Sequence, residues 1–448
     1  MPRLAFALLP SVVALALVLP AARAQEPVAG PPWKRDYQEA RREALRTGRP
    51  LFVYATQAGS PEGEIFEREV LTQADLEPAY QTAVWLWVWR DLSGSESDKA
   101  AERVALRFGI EIYPEHVLVD PASLAEIARL AGDMKDVLKA FQDAVSKIKK
   151  PADSVKALSA KMAKARELIA AGSVPQARAE LEPLAKGKDP YDFANEARSL
   201  LRGLPDAPAV KLEDRLEDPD PEIRLAALDE FAANPRGAPE AFGKLPPMMQ
   251  DPDRLVRLRA VDAVRKAAPK DISGKALELL KDPWIPFRTA VLRALREARD
   301  PEAFPAIAAL TKSFDLTKKG QVEMVKAAIE AISTCGDASA IELLRPIAQA
   351  GRLDGTSKHA VDALPLLARR LGDKGAAAAA RVLLESFPKA AEGLPPADLE
   401  PTMGLAQAVH LGLANLNRGK GPDFPAEWTA ATREALHAEW KPLVDKMK

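Results

Sequence analysis

Cysteine is nearly absent. Cys335 is the only one in 448 residues, which excludes an intramolecular disulfide, a dithiol redox centre and a thiolate-rich metal site. Histidine is also scarce. His116, His359, His410 and His437 show no metal-ligand spacing. An excess of one charge is missing as well, since the formal net charge is −1, so no global field points to nucleic acid or anionic lipid. After the first two dozen residues no apolar run is long enough to span a bilayer, and no P-loop, dinucleotide fingerprint or calcium loop occurs.

What is present is a soluble composition, 47% apolar and 28% charged, on a chain long enough for two or three domains. The 38 prolines fall mostly at expected helix starts and loops, which points to many short helices. The N-terminus reads as a secretory signal over residues 1–24. Arg3 supplies the positive end, Leu4 to Pro20 the apolar stretch, and Ala22-Arg23-Ala24 a small-x-small cleavage site. A retained membrane anchor is the alternative, but Pro10 and Pro20 interrupt the run. Cleavage before Gln25 would take the net charge from −1 to −3 and leave no membrane span. A periplasmic or secreted location follows. Cys335 lies in a helical pattern, where a lone thiol reads as a small buried hydrophobe.

The first domain is expected over residues 33–150. Tyr37, Ala40 and Ala44 recur at helical spacing inside Trp33 to Thr47, and Gly48-Arg49-Pro50 ends that helix. Leu51 to Ala55 reads as a buried strand, and a helix follows from about Glu62 to Leu71. Between Ala83 and Arg90, Trp85, Trp87 and Trp89 alternate with Leu86 and Val88. A strand there puts three indoles on one face and aliphatics on the other. The indoles read as core, with a binding platform as the alternative. A helix from Ser97 to Phe108, strands over His116–Val119 and Glu126–Leu130, and a helix over Asp133–Ile148 complete the order α-β-α-β-α-β-β-α.

That order and its punctuation resemble the thioredoxin-like family. The matching residues are Gly48-x-Pro50-Leu51-x-Val53, Glu69-Val70-Leu71, Asp91, Phe108-Gly109-Ile110, Tyr113-Pro114 and Leu130-x-Gly132. The resemblance covers roughly a quarter of the chain and implies a cis peptide at Pro114 beside the family's redox site. Counting back from Glu69, the two redox-cysteine positions fall on Ser60 and Gly63. Thiol–disulfide exchange needs one sulfur to attack and a second to resolve, so the departure removes that chemistry. Three readings of Thr56 to Glu64 remain. In one, Ser60 caps the helix that follows, with Glu62 and Glu64 near its positive end. In another, the resemblance implies a groove for an extended peptide, formed by Ser60, Tyr113, Pro114 and His116. The sharpest is a hydrolase in which Ser60 is the nucleophile and His116 its base, although no Gly-x-Ser-x-Gly elbow surrounds Ser60.

Residues 151–207 read as a helical connector, with helices over Ser154–Ala171, Gln176–Ala185 and from Asp189 to about Gly203. The middle of this stretch resembles one tetratricopeptide-style helix pair. The strongest internal signal follows, over 208–390. Asp218-Pro219, Asp251-Pro252 and Asp282-Pro283 recur at spacings of 33 and 31. Each Asp is followed six residues on by Arg224, Arg257 or Arg288, preceded by Ile223, Val256 or Phe287. Small or β-branched Ala227, Ala260 and Val291 sit at offset nine, followed directly by Leu228, Val261 and Leu292. A fixed period with fixed offsets marks a repeat array. The pattern resembles HEAT-type repeats, in which each aspartate is expected to cap a helix and the stacked Asp and Arg to form a structural ladder. About five helix pairs fit, ending in a C-terminal helical cap over 391–448.

The sequence thus implies an α/β domain followed by an all-α region: a thioredoxin-like N-terminal domain and a HEAT-type solenoid. Nothing in it supplies reaction chemistry or calls for a cofactor, and the expected partner is another protein or peptide. A purely structural assembly component and the Ser60–His116 hydrolase are the other readings.

Overall fold

The structure, a computed structural model, describes residues 31–70, 80–110, 113–130, 151–187, 189–208, 210–315, 321–391 and 393–447. The leader, Leu71 and the expected helix over Asp133–Ile148 lie outside them. The chain divides into two compact units. The first takes Met1–Ala160 with Lys188–Asp192, the second Lys161–Gly187 with Phe193–Lys448.

The first unit holds a mixed five-stranded sheet. In chain order its elements are β1 (Trp33–Lys34), α1 (Tyr37–Thr47), β2 (Leu51–Gln57), α2 (Pro61–Ile65), a π-helical turn over Phe66–Val70, β3 (Val84–Arg90), α3 (Glu96–Arg107), β4 (Glu115–Val119) and β5 (Glu126–Leu130). The strand order is β1-β3-β2-β4-β5. β3 runs parallel to β1 and β2, β4 runs antiparallel to β2, and β5 antiparallel to β4.

Trp33 opens a strand, not the first helix. Its ring packs edge-on against Trp85 at 5.7 Å, which holds Trp33–Lys34 beside β3. Helical spacing begins only at Tyr37, after Asp36 caps α1 by accepting from Glu39 N at 2.6 Å. Gly48 ends α1 in the left-handed region at φ 64°, where a side chain would be strained.

The alternation in β2 and β3 sorts the core into two faces. Leu51, Val53, Ala55, Val84, Leu86 and Val88 line one face, with Tyr37 and Ala40 of α1 and Ala105 of α3 packed on it. Phe52, Tyr54, Trp85 and Trp87 line the other, with Phe66 packed on them and Trp33 and Trp89 at the margin. Two of the three indoles of β3, Trp85 and Trp87, are therefore core, as the alternation predicts, and Trp89 packs half-buried at the edge of the same face.

The second unit is helical, followed from α4 (Ser154–Ala170), which crosses its boundary. The helices of eight residues or more are then α5 (Val174–Ala185), α6 (Phe193–Arg202), α7 (Pro221–Ala233), α8 (Arg254–Ala267), α9 (Ile285–Ala298), α10 (Phe304–Thr311), α11 (Val322–Cys335), α12 (Ser339–Gln349), α13 (Thr356–Leu371), α14 (Asp373–Glu385), α15 (Pro396–Leu416) and α16 (Ala430–Asp445). Shorter helical turns at Leu245–Met248, Lys270–Ser273 and Ala276–Leu279 stand where longer second helices would complete the first pairs. α6 begins at Phe193, not at Asp189, because Asp189 accepts from Tyr191 N at 2.9 Å and holds that stretch as a turn.

Alternate helices pack on one another. α7, α8, α9, α11, α13 and α15 contact in succession, and α12, α14 and α16 do the same behind them. The offset-nine residues Ala227, Ala260 and Val291 are fully buried, and small side chains there let neighbouring helices approach. Cys335 is buried at the end of α11, donating to Leu295 O of α9 at 3.3 Å. Burial pushes its thiol up from the ordinary value, so it is the inert small hydrophobe its pattern predicts.

Candidate functional site

The loop between β2 and α2 carries Ser60 and Gly63. Ser60 adopts an extended backbone and caps α2, its Oγ accepting from Gly63 N at 3.2 Å. Pro61 fills the first helical position, where no N–H is needed. Glu62 and Glu64 sit in the first turn. Capping is thus what Ser60 does here. No hydrogen bond joins it to His116.

His116 lies on β4, directly across from Tyr54 of β2. The two rings stack 5.2 Å apart with planes 4° apart, and the Phe66 ring lies 3.8 Å from the imidazole. His116 is a buried member of the aromatic face. The expected groove residues are thereby separated in role. Tyr113 and Pro114 are half-buried, joined by a cis peptide. The Arg90 guanidinium lies 5.8 Å from the Tyr113 ring centre. Burial raises the Tyr113 phenol above its ordinary value, against the pull of Arg90.

Gly63 fits closely against its neighbours. A Cβ built on it would lie 2.5 Å from Thr56 Oγ1, 3.2 Å from Ser60 Oγ and 3.3 Å from the Tyr54 hydroxyl. Tyr54 donates to Gly63 O at 3.2 Å and to Glu67 Oε1 at 2.9 Å. Burial raises the Tyr54 phenol far above its ordinary value. It also raises the Glu67 carboxyl, with Glu64 pushing the same way. Tyr54, Thr56 and Glu67 were not picked out by motif. Strand alternation carries the signal that finds two of them, since Tyr54 and Thr56 are two apart on one face of β2.

A second polar anchor stands at the same end of the sheet. Arg90 ends β3 and makes a forked pair with Asp98, at 3.0 and 3.2 Å, while Ser95 caps α3 by accepting from Asp98 N. The Asp98 side chain is only 3% exposed. Its hydrogen bonds from Arg90 lower its carboxyl below the ordinary value, against the cost of burial.

In the helical unit the Asp-Pro aspartates do not cap their helices. The caps are two residues further on: Asp220 for α7 and Asp253 for α8, while Trp284 stands at the start of α9 without a side-chain cap. Asp218, Asp251 and Asp282 instead each accept from the N–H two residues ahead, at 2.8 Å, across the intervening proline. This Asx turn aims the carboxylate at a preceding arginine. Arg202 reaches Asp218 at 2.6 Å, Arg224 grips Asp251 with two bonds of 2.8 Å, and Arg257 Nε approaches Asp282 to 3.1 Å. Arg224 and Arg257 also donate to the carbonyls of Asp218 and Asp251 in their own turns. Arg288, expected as a further member, makes no such rung among the described residues. Its Nε is buried without a hydrogen-bond partner, and burial lowers its guanidinium from the ordinary value against the effect of Asp282.

Among the described residues no group of three or more His, Cys, Asp and Glu is placed to hold a metal ion. No helix among them is long and apolar enough to cross a membrane. No family model matches the chain, and no curated protein matches it.

Proposed function

We propose that the chain is an exported, non-catalytic protein-binding scaffold: a redox-inactive thioredoxin-like domain, a helical connector and a HEAT-like solenoid, serving as a folding or assembly helper. The carrying observation is the ladder of Arg202–Asp218, Arg224–Asp251 and Arg257–Asp282, which repeats one turn-to-turn ion pair along successive helices. Such an array builds a long surface whose parts contact only their neighbours, which suits it to binding an extended partner. The thioredoxin-like reading draws on the strand order β1-β3-β2-β4-β5 and on the Tyr113-Pro114 turn ahead of β4. The non-catalytic reading draws on the two positions that the resemblance assigns to sulfur. Ser60 is committed to a cap and Gly63 has no room for a side chain.

The test uses the full chain, immobilised and exposed to a periplasmic or extracellular extract. It is expected to retain a defined protein partner, to catalyse no disulfide reduction and to hydrolyse no acyl ester, with Ser60→Ala retaining the same partner. Ester hydrolysis that disappears in Ser60→Ala would instead establish the hydrolase reading.

A further inference from the structure

Two of the large apolar side chains that the helical unit leaves exposed face one groove. Leu366 on α13 is 56% exposed and Leu411 on α15 is 53% exposed. Both line a depression of about 430 Å³ between these adjacent helices. Its floor is apolar: Val361 and Pro365 from α13, Ala408 and Gly412 from α15. Gly404, one turn before Ala408, has nothing within 4 Å of the Cβ it lacks, so that end of the groove stays open. Gly412 is different. A Cβ there would meet Leu383 at 3.1 Å, so it brings α15 close to α14.

The rim is polar and its charges do not cancel. Lys358 and Asp362 pair with each other at 2.7 Å, one turn apart on α13. Arg369, one turn beyond Leu366, is exposed and makes no ion pair among the described residues. Gln407 and Asn415 supply the remaining polar groups. The groove therefore offers two leucines, an apolar floor and one uncommitted positive charge. A groove between two helices, flanked by a leucine on each, takes the apolar face of a third.

We infer that the α13–α15 groove binds an amphipathic helix of a partner protein, one that seats aliphatic side chains between Leu366 and Leu411 and presents a carboxylate to Arg369. This rests on the scaffold reading and names the surface it uses. An acidic partner is favoured because, among the described residues lining the groove, the charge left without an ion pair is the positive Arg369, and opposite charge sets orientation and discriminates against basic helices.

The probe is a fluorescein-labelled synthetic helical peptide with leucines at i, i+3, i+4 and i+7 and glutamates on its flanks. A control peptide carries lysines at the flanking positions. Both are titrated with the full chain by fluorescence polarisation. The glutamate peptide is expected to bind more tightly than the lysine peptide. Leu366→Ser with Leu411→Ser is expected to weaken it by about tenfold or more, as for a hot-spot pair at the centre of a contact. Arg369→Glu is expected to reverse the preference between the two peptides. Both leucines are more than half exposed, so circular dichroism of the double variant should match the parent. Equal binding by parent and double variant, or a parent preference for the lysine peptide, would overturn the assignment. So would a parent dimer in sedimentation that becomes monomeric in the double variant, which would make a second copy the occupant. If the double variant still retains the partner captured by the parent, the scaffold reading survives and the groove assignment alone falls.

Discussion

Thr56 Oγ1 occupies the space that a side chain at residue 63 would need, 2.5 Å from the position a Cβ would take on Gly63. The contact comes from the end of a central strand and the first turn of the following helix, and Ser60 Oγ and the Tyr54 hydroxyl close in from the sides. Gly63→Cys is therefore expected to destabilise the domain by about 1–3 kcal/mol, the usual cost of overpacking. Thr56→Ala removes the obstructing oxygen, so the double variant should recover part of that loss. Urea unfolding of the parent, both single variants and the double variant measures the coupling. A Gly63→Cys protein as stable as the parent would contradict it.

Glu67 makes a prediction about pH. Its carboxyl is raised by burial and by Glu64, so the folded state prefers it protonated. That contribution is fully present below the unfolded value of about 4.3 and is lost as pH rises through the folded value. Glu67→Gln keeps an acceptor for the Tyr54 hydroxyl and cannot ionise. Its stability, relative to the parent, should rise between roughly pH 4 and 7. Urea midpoints across that range test this, and a constant difference would count against it.

Asp98 predicts the opposite slope. Arg90 holds its carboxyl below the ordinary value, so the stabilisation is present above the unfolded value of about 3.9 and is lost as pH falls through the folded value. Asp98→Asn should be less stable than the parent at pH 7 and should close that gap in acid. Thermal melts at pH 7 and at about pH 3 compare the two, and a gap that widens in acid would refute the assignment.

Much of this was legible in the sequence. The Trp85-Leu86-Trp87-Val88-Trp89 alternation gave both faces of the sheet, because a period of two has one reading in a buried strand. The Asp-Pro spacing located the turns that lead into α7, α8 and α9. What escaped was held by contact and not by period. β1 is two residues long and has no period to detect; Trp33 is placed by rings that lie more than twenty residues further on. Tyr54, Gly63 and Glu67 meet across a strand-to-helix turn, at no spacing that a motif search would flag. The capping aspartates were displaced by two residues because an aspartate before proline can also close an Asx turn, and a carboxylate wanted by an arginine is better supplied from there.

The Arg224–Asp251 rung can be tested as a pair. Both side chains are about nine-tenths buried, and Arg224 also holds the Asp218 carbonyl at 2.7 Å. Arg224→Met strands the Asp251 carboxylate and is expected to cost about 3 kcal/mol or more. Arg224→Met with Asp251→Asn should cost less than the two single changes added together. A double-mutant cycle by urea denaturation gives the coupling, and additive losses would mean the rung carries no net interaction.

The ladder fastens one turn to the next and leaves the segments between these helices out of the fastening. The Asp-Pro turns are separated by 33 residues in one interval and 31 in the next, yet both intervals are bridged, by Arg224–Asp251 and Arg257–Asp282. Length can therefore drift in the segments between α7 and α8 and between α8 and α9 without shifting the register of the helices that carry the rungs. An insertion between Pro235 and Gln250 should be absorbed as a longer bulge between α7 and α8. The same insertion between Asp218 and Arg224 would unfasten two neighbours at once.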